Sequence, residues 1–577
     1  MTTLAALNCG TPAAFVATLG SIFEHSPWVP ERVAAARPFA SVAALHAAMS
    51  AAVMAADLPM QLALIRAHPE LAGRAAIRGE LTRESTSEQK GAGLSACTPA
   101  QYERLQALNA AYGSRFGFPF ILAVKGHTPD TVIASLAQRL THTPEQEHRT
   151  ALEQIARIAR FRLEELVADD IGNELLARSD ELAQFSDQPD CLTCAYLTPA
   201  HQATAALIRD YMLAAGLNAH IDAVGNVVGR LESRTPGART LLTGSHFDTV
   251  SNAGRYDGRL GILLPITVAM QLRRQQRELP FHLEIIAFAE EEGLRFQSTF
   301  LGSSAVTGHF DARVFDAVDR DGTSLRAAVV AAGHDPDAVL HLARDPAQVL
   351  GFVEVHIEQG PVLLDAGQGT GVVTGIAGSR RSLVELTGLA GHAGTVPMHL
   401  RRDAAAGAAE IVLLVEAICA RETGLVGTVG QLQVPGGAMN VIPGHCLLSI
   451  DLRSVDDALR ARAAVDIDAG IAAITARRGL TFTQRVVLDV KAAPCTPALQ
   501  QQFAASISRV TGTSALALPS GAGHDTMMMS RLTDVGMLFV RCGNGGISHH
   551  PDETLDAADA RLAAAVFEDF LLHYKAT

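Results

Sequence analysis

Three short apolar runs, far apart in the chain, each stop at histidine or glutamate, and this pattern constrains the fold more than any other feature. Thr240-Leu241-Leu242-Thr243 leads into Gly244-Ser245-His246-Phe247-Asp248. Leu283 to Phe288 leads into Glu290-Glu291-Glu292, and Leu350 to Val355 leads into His356-Ile357-Glu358. Each run is too short for an ordinary helix and reads as a buried strand. Open α/β sheets place their ligands at the carboxyl ends of such strands. Asp257-Gly258 follows nine residues after Asp248. Histidines and carboxylates without cysteine suit zinc, manganese or cobalt in a catalytic rather than a structural site. Asp257 can bridge two ions about 3.5–4 Å apart, an arrangement that holds and acidifies one water. Asp248 is placed to accept the second N–H of the His246 ring. Adjacent glutamates point opposite ways along a strand, but just past its end one can ligate while the other accepts a proton. Taken singly, each motif has a plain structural explanation: Glu290 to Glu292 as an acidic surface turn, His246 as a satisfied core histidine. Their conjunction at strand ends favours a metal centre.

A chain of 577 residues exceeds what one core supports and implies two to four domains. Its net charge of −13 argues against nucleic-acid or anionic-membrane partners, which require clustered Lys and Arg. No apolar run approaches the ~20 residues of a membrane helix. The start Met1-Thr2-Thr3-Leu4 lacks the basic and apolar regions of a signal peptide, and the end Tyr574-Lys575-Ala576-Thr577 carries no targeting tripeptide. The eight scattered cysteines fit a reducing compartment, so a cytoplasmic location is expected. The pair Cys191 and Cys194 has no second pair to make a zinc ribbon and no βαβ surroundings to make a redox motif.

Up to about residue 167 the texture differs. Apolar residues recur at three- and four-residue spacing over 13–19, 42–55, 99–111 and 131–140. From Pro144 one stripe runs through Leu152, Ile155, Ile158, Ala159, Leu163 and Leu166. This predicts an all-α domain. Polar segments interrupt it at His68-Pro69-Glu70 and at Leu81 to Gln89. On residues alone the plain readings are favoured, His68 as a loop histidine and Ser85 as an N-cap with Glu88 three residues on. Residues 168–188 predict a polar, helical hinge. From Thr198 helices alternate with strands, which argues for α/β with a largely parallel sheet.

Phe23 to Trp28, His68-Pro69-Glu70-Leu71-Ala72-Gly73, Leu81 to Gln89, Ala92-Gly93-Leu94 and Phe116 to Ile121 together resemble 2-oxo-4-hydroxy-4-carboxy-5-ureidoimidazoline (OHCU) decarboxylases, enzymes of urate breakdown. The resemblance implies decarboxylation without a cofactor, in a pocket between helices. His68 would be the general acid/base, as its ordinary pKa near working pH suits. Glu88 would orient polar groups, and Pro69, Ser85 and Gln89 would bind the substrate. Backbone amides from Phe120 and Ile121 to Val124 would line the ring pocket. Arg162 would grip a carboxylate through its bidentate fork, unless it is simply a solvated helix charge.

A second resemblance covers about 180–577. Gly244 to Val250, Tyr256-Asp257-Gly258, Ala289 to Phe296, Val355 to Gly360, Gly391 to Met398, Gly521 to Asp525 and Gly546 to His549 are similar to the allantoate amidohydrolase and N-carbamoyl-L-amino-acid hydrolase family, dinuclear metal amidohydrolases related to zinc exopeptidases. The resemblance implies His246, Asp257 (bridging), Glu292, His356 and His549 as ligands of two divalent ions (zinc, manganese or cobalt), with Glu291 as general base. It implies an α/β catalytic domain at 189–376 and 492–577, interrupted by an α+β dimerisation or lid domain at 377–491, behind a 1–167 helical domain and a 168–188 linker. From that insert His392 would reach a partner subunit's site in a homodimer and stabilise the oxyanion. Asn440 and Arg453 would bind the substrate. Allantoate-specific members carry glutamine where Ser379 stands, and a hydroxyl reaches less far with fewer donors. The residues therefore leave allantoate, other small ureido acids and N-carbamoyl amino acids open. The fusion favours allantoate, because the first module makes allantoin and allantoate lies one ring-opening beyond it.

Overall fold

The computed structural model describes residues 2–71, 82–94, 97–168 and 170–576. The expected loop residues Ala72 and Gly73 and the segment start Leu81 lie outside them, as do the side chains of Arg83, Glu84 and Ser87.

The amino-terminal part is a helical module from Leu4–Cys9 to Pro144–Leu166 around one apolar core that includes Leu19, Phe23, Leu45, Ile65, Tyr112, Phe120, Leu136, Ile155 and Leu163. Thr–Pro pairs at 11–12, 98–99, 128–129 and 143–144 each open a helix, the threonine hydroxyl accepting a first-turn amide. Proline suits the next position because its missing N–H would be unpaired there anyway. The helix Arg83–Gly91 is capped by Thr82, not by Ser85, whose amide donates to the Thr82 hydroxyl at 3.3 Å. The Ser85 hydroxyl is thereby left for another role.

The second part is a nine-stranded sheet flanked by helices. Its centre is parallel: Val535–Val540 pairs with Val349–Ile357, that strand with Thr240–His246, and that one with His282–Phe288. Both flanks turn antiparallel at Val227–Leu231 and Thr370–Ile376, and the outer strand Leu516–Ser520 again runs parallel to Thr370–Ile376, so the sheet is mixed around a parallel centre. The parallel centre brings the carboxyl ends of three chemistry-bearing strands side by side. Between Gly378 and Val490 the chain forms a separate α+β unit. A five-stranded antiparallel sheet and the helices Ala404–Cys419 and Asp457–Arg478 share their own core of Val384, Leu386, Ile411, Leu448, Ile450, Ile467 and Ile471.

The expected hinge is not one. Helix Ile171–Leu182 buries Gly172, Glu174, Leu175, Arg178, Ser179 and Leu182. Leu175 and Leu182 belong to the core of the α/β part. Arg178, 1% exposed, bonds Glu174 at 2.8 Å and lies 3.7 Å from Glu164 of the last module helix. Arg160 forks onto Glu181 at 2.9 Å twice. Arg157 pairs with Asp210, and Arg274 donates to the Glu164 carbonyl. Among the polar residues of this stretch, Glu174, Arg178 and Glu181 are partners in a network joining the two parts.

Candidate active sites

Strand Thr240–His246 ends on His246 and strand Val349–Ile357 carries His356, both buried. Their Nε2 atoms lie 3.5 and 3.2 Å from Asp257 Oδ1. His549 Nε2 lies 3.2 Å from Asp257 Oδ2 and 3.4 Å from Glu292 Oε1. Asp257 thus turns one oxygen to each of two histidine groups, and Glu291 and Glu292 converge on His246. Gly258, at φ +65, permits this closeness, since a Cβ there would stand 2.5 Å from His246 Nε2.

The tautomers indicate what belongs between these groups. His246 Nδ1 faces the Asp248 carbonyl at 3.2 Å and His356 Nδ1 the Ile357 carbonyl at 2.8 Å. A carbonyl only accepts, so each Nδ1 carries the hydrogen and each neutral ring turns its Nε2 lone pair inward. The Gly258 amide donates to His356 Nε2 at 3.1 Å, in keeping with this. Asp257 Oδ1 is buried without a hydrogen-bond partner. Lone pairs facing a carboxylate oxygen repel unless positive charge lies between them. Burial alone would lower the pKa of both rings, but Asp248 and Asp257 at His246, and Asp257 at His356, outweigh it and raise both, so the cluster draws positive charge to each Nε2, as a proton or as a metal ion that leaves the ring neutral. The oxygen and nitrogen donors therefore fit a divalent metal ion.

Asp248 has a second part beside the one expected. Its carboxylate stands 3.5 Å from His246 Nδ1, while its oxygens accept the amides of Glu291 and Glu292 at 3.0 and 3.1 Å. It aims the two glutamates, and its own carbonyl takes the ring N–H. Burial raises the Glu291 pKa well above the usual carboxylate range and brings Glu292 up to about 7.

Three supporting residues escape sequence reasoning. Gln359 donates to Asp257 Oδ2 at 2.8 Å. The Ser548 hydroxyl lies 2.9 Å from the same oxygen and 3.0 Å from Glu553, which accepts the Tyr256 and Asp257 amides at 2.8 and 3.2 Å. Gln359 and His549 both adopt left-handed backbone, φ +56 and +55, a strain that marks functional loops. Gln359 and Ser548 lie inside the motifs of the second resemblance, which assign them no role, and Glu553 lies outside them.

The insert residues stand apart from this cluster. His392 and Asn440 are exposed, on neighbouring segments joined by the Ala393 amide to the Asn440 carbonyl at 2.9 Å. Ser379 donates to Asp451 at 2.8 Å, so its hydroxyl is engaged. Arg453 also binds Asp451, at 2.9 Å, and reaches the Gly521 carbonyl of the catalytic part at 2.7 Å. Both Asp451 and Arg453 line a cavity of about 720 Å³ between the insert sheet and that part.

In the helical module, His68, Pro69, Ser85, Glu88, Gln89, Phe120 and Ile121 line one small cavity of about 20 Å³. His68 Nδ1 donates to the Leu64 carbonyl at 3.0 Å, and burial lowers its pKa to about 4. His68 is therefore uncharged at neutral pH. Arg162 corrects the expectation of a free carboxylate clamp. Its fork holds Glu88 at 2.8 and 3.0 Å, and its NH1 holds Glu24 at 2.8 Å. Glu24, a motif residue to which sequence reasoning assigns no role, also accepts from Thr82 at 2.6 Å and Ser85 at 3.2 Å. Burial would raise its pKa, but Thr82 and Arg162 bring it below the usual value, whereas burial leaves Glu88 above it.

Known proteins match these two sites separately. Residues 8–164 match the OHCU decarboxylase family, and residues 216–573 match peptidase family M20/M25/M40. The chain is 40% identical over 431 residues to an allantoate deiminase of Arabidopsis thaliana, covering 70% of this chain and 82% of that one. It is 36% identical over 396 residues to an N-carbamoyl-L-amino acid amidohydrolase of Geobacillus stearothermophilus, covering 68% and 96%. A hydantoinase/carbamoylase family amidase of Burkholderia multivorans superposes with a TM-score of 0.66 at 30% identity, covering 70% of this chain and 97% of that one. The chain is a bifunctional enzyme in which an OHCU decarboxylase domain is fused to an allantoate amidohydrolase-like member of the M20/M25/M40 peptidase family.

Proposed function

We propose that the second module hydrolyses allantoate to ureidoglycine, ammonia and carbon dioxide, while the first converts OHCU to (S)-allantoin. The carrying observation is the fusion itself. A decarboxylase domain shares its chain with a hydrolase 40% identical to an allantoate deiminase, and the two reactions lie two steps apart on one route. Two divalent ions, of zinc, manganese or cobalt, would be held by His246, Asp257 and His356 on one side and by Asp257, Glu292 and His549 on the other. When bound, they polarise the ureido carbonyl and acidify water. Glu291, aimed by Asp248 and raised in pKa by burial, takes the proton and passes it to the leaving nitrogen.

Arg453, beside the 720 Å³ cavity, binds the substrate carboxylate, with Asn440 and Ser379 contributing polar contacts. His392 serves the site of a second copy in a homodimer. Its exposure supports this, as do the exposed apolar side chains of Met398, Leu400 and Met439 around it. In the decarboxylase, His68 and Glu88 handle protons at the reacting carbon and no cofactor takes part. The cytoplasm is the expected setting for both reactions.

One observation favours a rival. Ser379 is occupied by Asp451, which weakens contact with a second ureido group and suits an N-carbamoyl-L-amino acid. Measuring kcat/KM for allantoate against several N-carbamoyl-L-amino acids decides between them. A preference of about tenfold or more for the carbamoyl compounds, ~1.4 kcal/mol, overturns the allantoate assignment.

A further inference from the structure

The two modules meet across a cleft of about 780 Å³ whose walls come from both. The helical module contributes Glu88, Val124, Lys125, Ile158, Arg162 and Glu165, and the hydrolase contributes Leu213, Gly216 and Arg273. Glu88, Val124 and Ile158 also line the small cavity at His68, so the cleft adjoins the decarboxylase site. The turn bearing Lys125 is seated on the hydrolase helix Pro199–Ala214. Gly126, at φ +81, lies so near Leu213 that a Cβ would stand 2.9 Å from its methyl carbon.

Lys125 Nζ is 3.4 Å from Glu165 Oε1, and Arg273, from the other module, is 4.0 Å from the same oxygen. Two cations thus share one carboxylate, whose side chain is 59% exposed. Deeper in, Arg162 is already matched by Glu24 and Glu88. An incoming carboxylate can replace Glu165 at the rim without stranding a buried charge, because displaced Glu165 stays in water. Burial lowers the Lys125 pKa, so a second anionic partner favours its charged form.

We propose that this cleft is the entrance to the decarboxylase site, and that Lys125 and Arg273 together receive its carboxylate-bearing substrate. The hydrolase module then supplies a binding residue to the decarboxylase. The proposal rests on the decarboxylase assignment of the first module.

The test uses the full-length chain with freshly generated OHCU, and with allantoate as a control reaction. Arg273→Gln and Lys125→Gln should each raise the decarboxylase KM about three- to fivefold at low salt with kcat unchanged. Glu165→Gln should lower KM about twofold, and added salt should shrink all three effects. Arg273→Lys should recover most of the loss, and the allantoate constants should not move. Shifts of the same sign in all three variants would overturn the proposal, as would no KM change in Arg273→Gln. A joint fall of kcat and Tm in Arg273→Gln, without rescue by lysine, would assign Arg273 a purely structural role and also overturn it. A parental chain that fails to decarboxylate OHCU would instead remove the underlying assignment, and the entrance with it.

Discussion

The two sites bury similar groups, histidines among carboxylates, and balance them in opposite ways. In the helical module the positive charge is built in: Arg162 holds Glu24 and Glu88, and His68 stays neutral with a pKa lowered to about 4. In the hydrolase Asp257 Oδ1 has no hydrogen-bond donor and faces only the Nε2 atoms of His246 and His356, at 3.5 and 3.2 Å, so that side of the carboxylate draws positive charge. A buried carboxylate costs several kcal/mol unless paired. One module therefore carries its cation as a side chain, and the other must take it from solution. One chain can thus balance buried carboxylates with a built-in guanidinium at one site and with recruited positive charge at the other.

The largest effect is expected at Asp257, the carboxylate that faces all three histidines. Asp257→Ala should lower amidohydrolase kcat/KM by about a thousandfold or more, the scale of several kcal/mol of lost charge stabilisation, and leave OHCU decarboxylation unchanged. Parallel steady-state assays on one preparation read both.

The counterpart is Arg162→Met, which strands Glu24 in the core. It should destabilise the helical module by about 3–5 kcal/mol in denaturant titrations and abolish decarboxylation. Adding Glu24→Gln and Glu88→Gln should return stability but not activity. If Arg162→Met alone is neutral, the built-in cation is not what balances that site.

A smaller effect sharpens the hydrolase side. Ser548→Ala removes a hydroxyl 2.9 Å from Asp257 and should weaken metal affinity about 10- to 100-fold by competition with a chromogenic chelator. Unchanged affinity would leave Ser548 without a supporting role.

The smallest effect concerns pH. Burial lowers His46, His68 and His201 each to about 4 from an ordinary 6.5. Between those values the unfolded chain binds more protons than the folded one. Stability is therefore full above about pH 6.5 and falls as pH drops toward 4. Denaturation midpoints at pH 7, 5.5 and 4.5 should decline in that order, and decarboxylase activity should hold to about pH 5. A flat series would contradict neutral burial of these rings.

Much of the hydrolase site was legible because its chemistry sits at the ends of strands with strong apolar signatures: His246, His356 and the Glu290–Glu292 run each follow one. Gln359, Ser548 and Glu553 were not, since they act from loops whose left-handed turns and close approaches arise only on folding. Asp248 does face the His246 ring as expected, but spacing cannot tell its carbonyl, 3.2 Å from Nδ1, from its carboxylate at 3.5 Å, nor show that the carboxylate also holds the Glu291 and Glu292 amides. In the helical module the motif residues were found, Glu24 among them, but its pairing with Arg162 joins positions 138 apart in sequence and leaves no local signal. The 168–188 stretch read as a hinge because its polar residues resemble solvated ones, yet Arg178 and Glu174 are paired inside an interface.

The most direct test is to treat the full-length protein with a strong chelator, remove it, and assay both activities before and after restoring zinc, manganese or cobalt. The account predicts that allantoate hydrolysis disappears and returns with metal, while OHCU decarboxylation never changes. Loss of both activities, or survival of hydrolysis in metal-free protein, would contradict it.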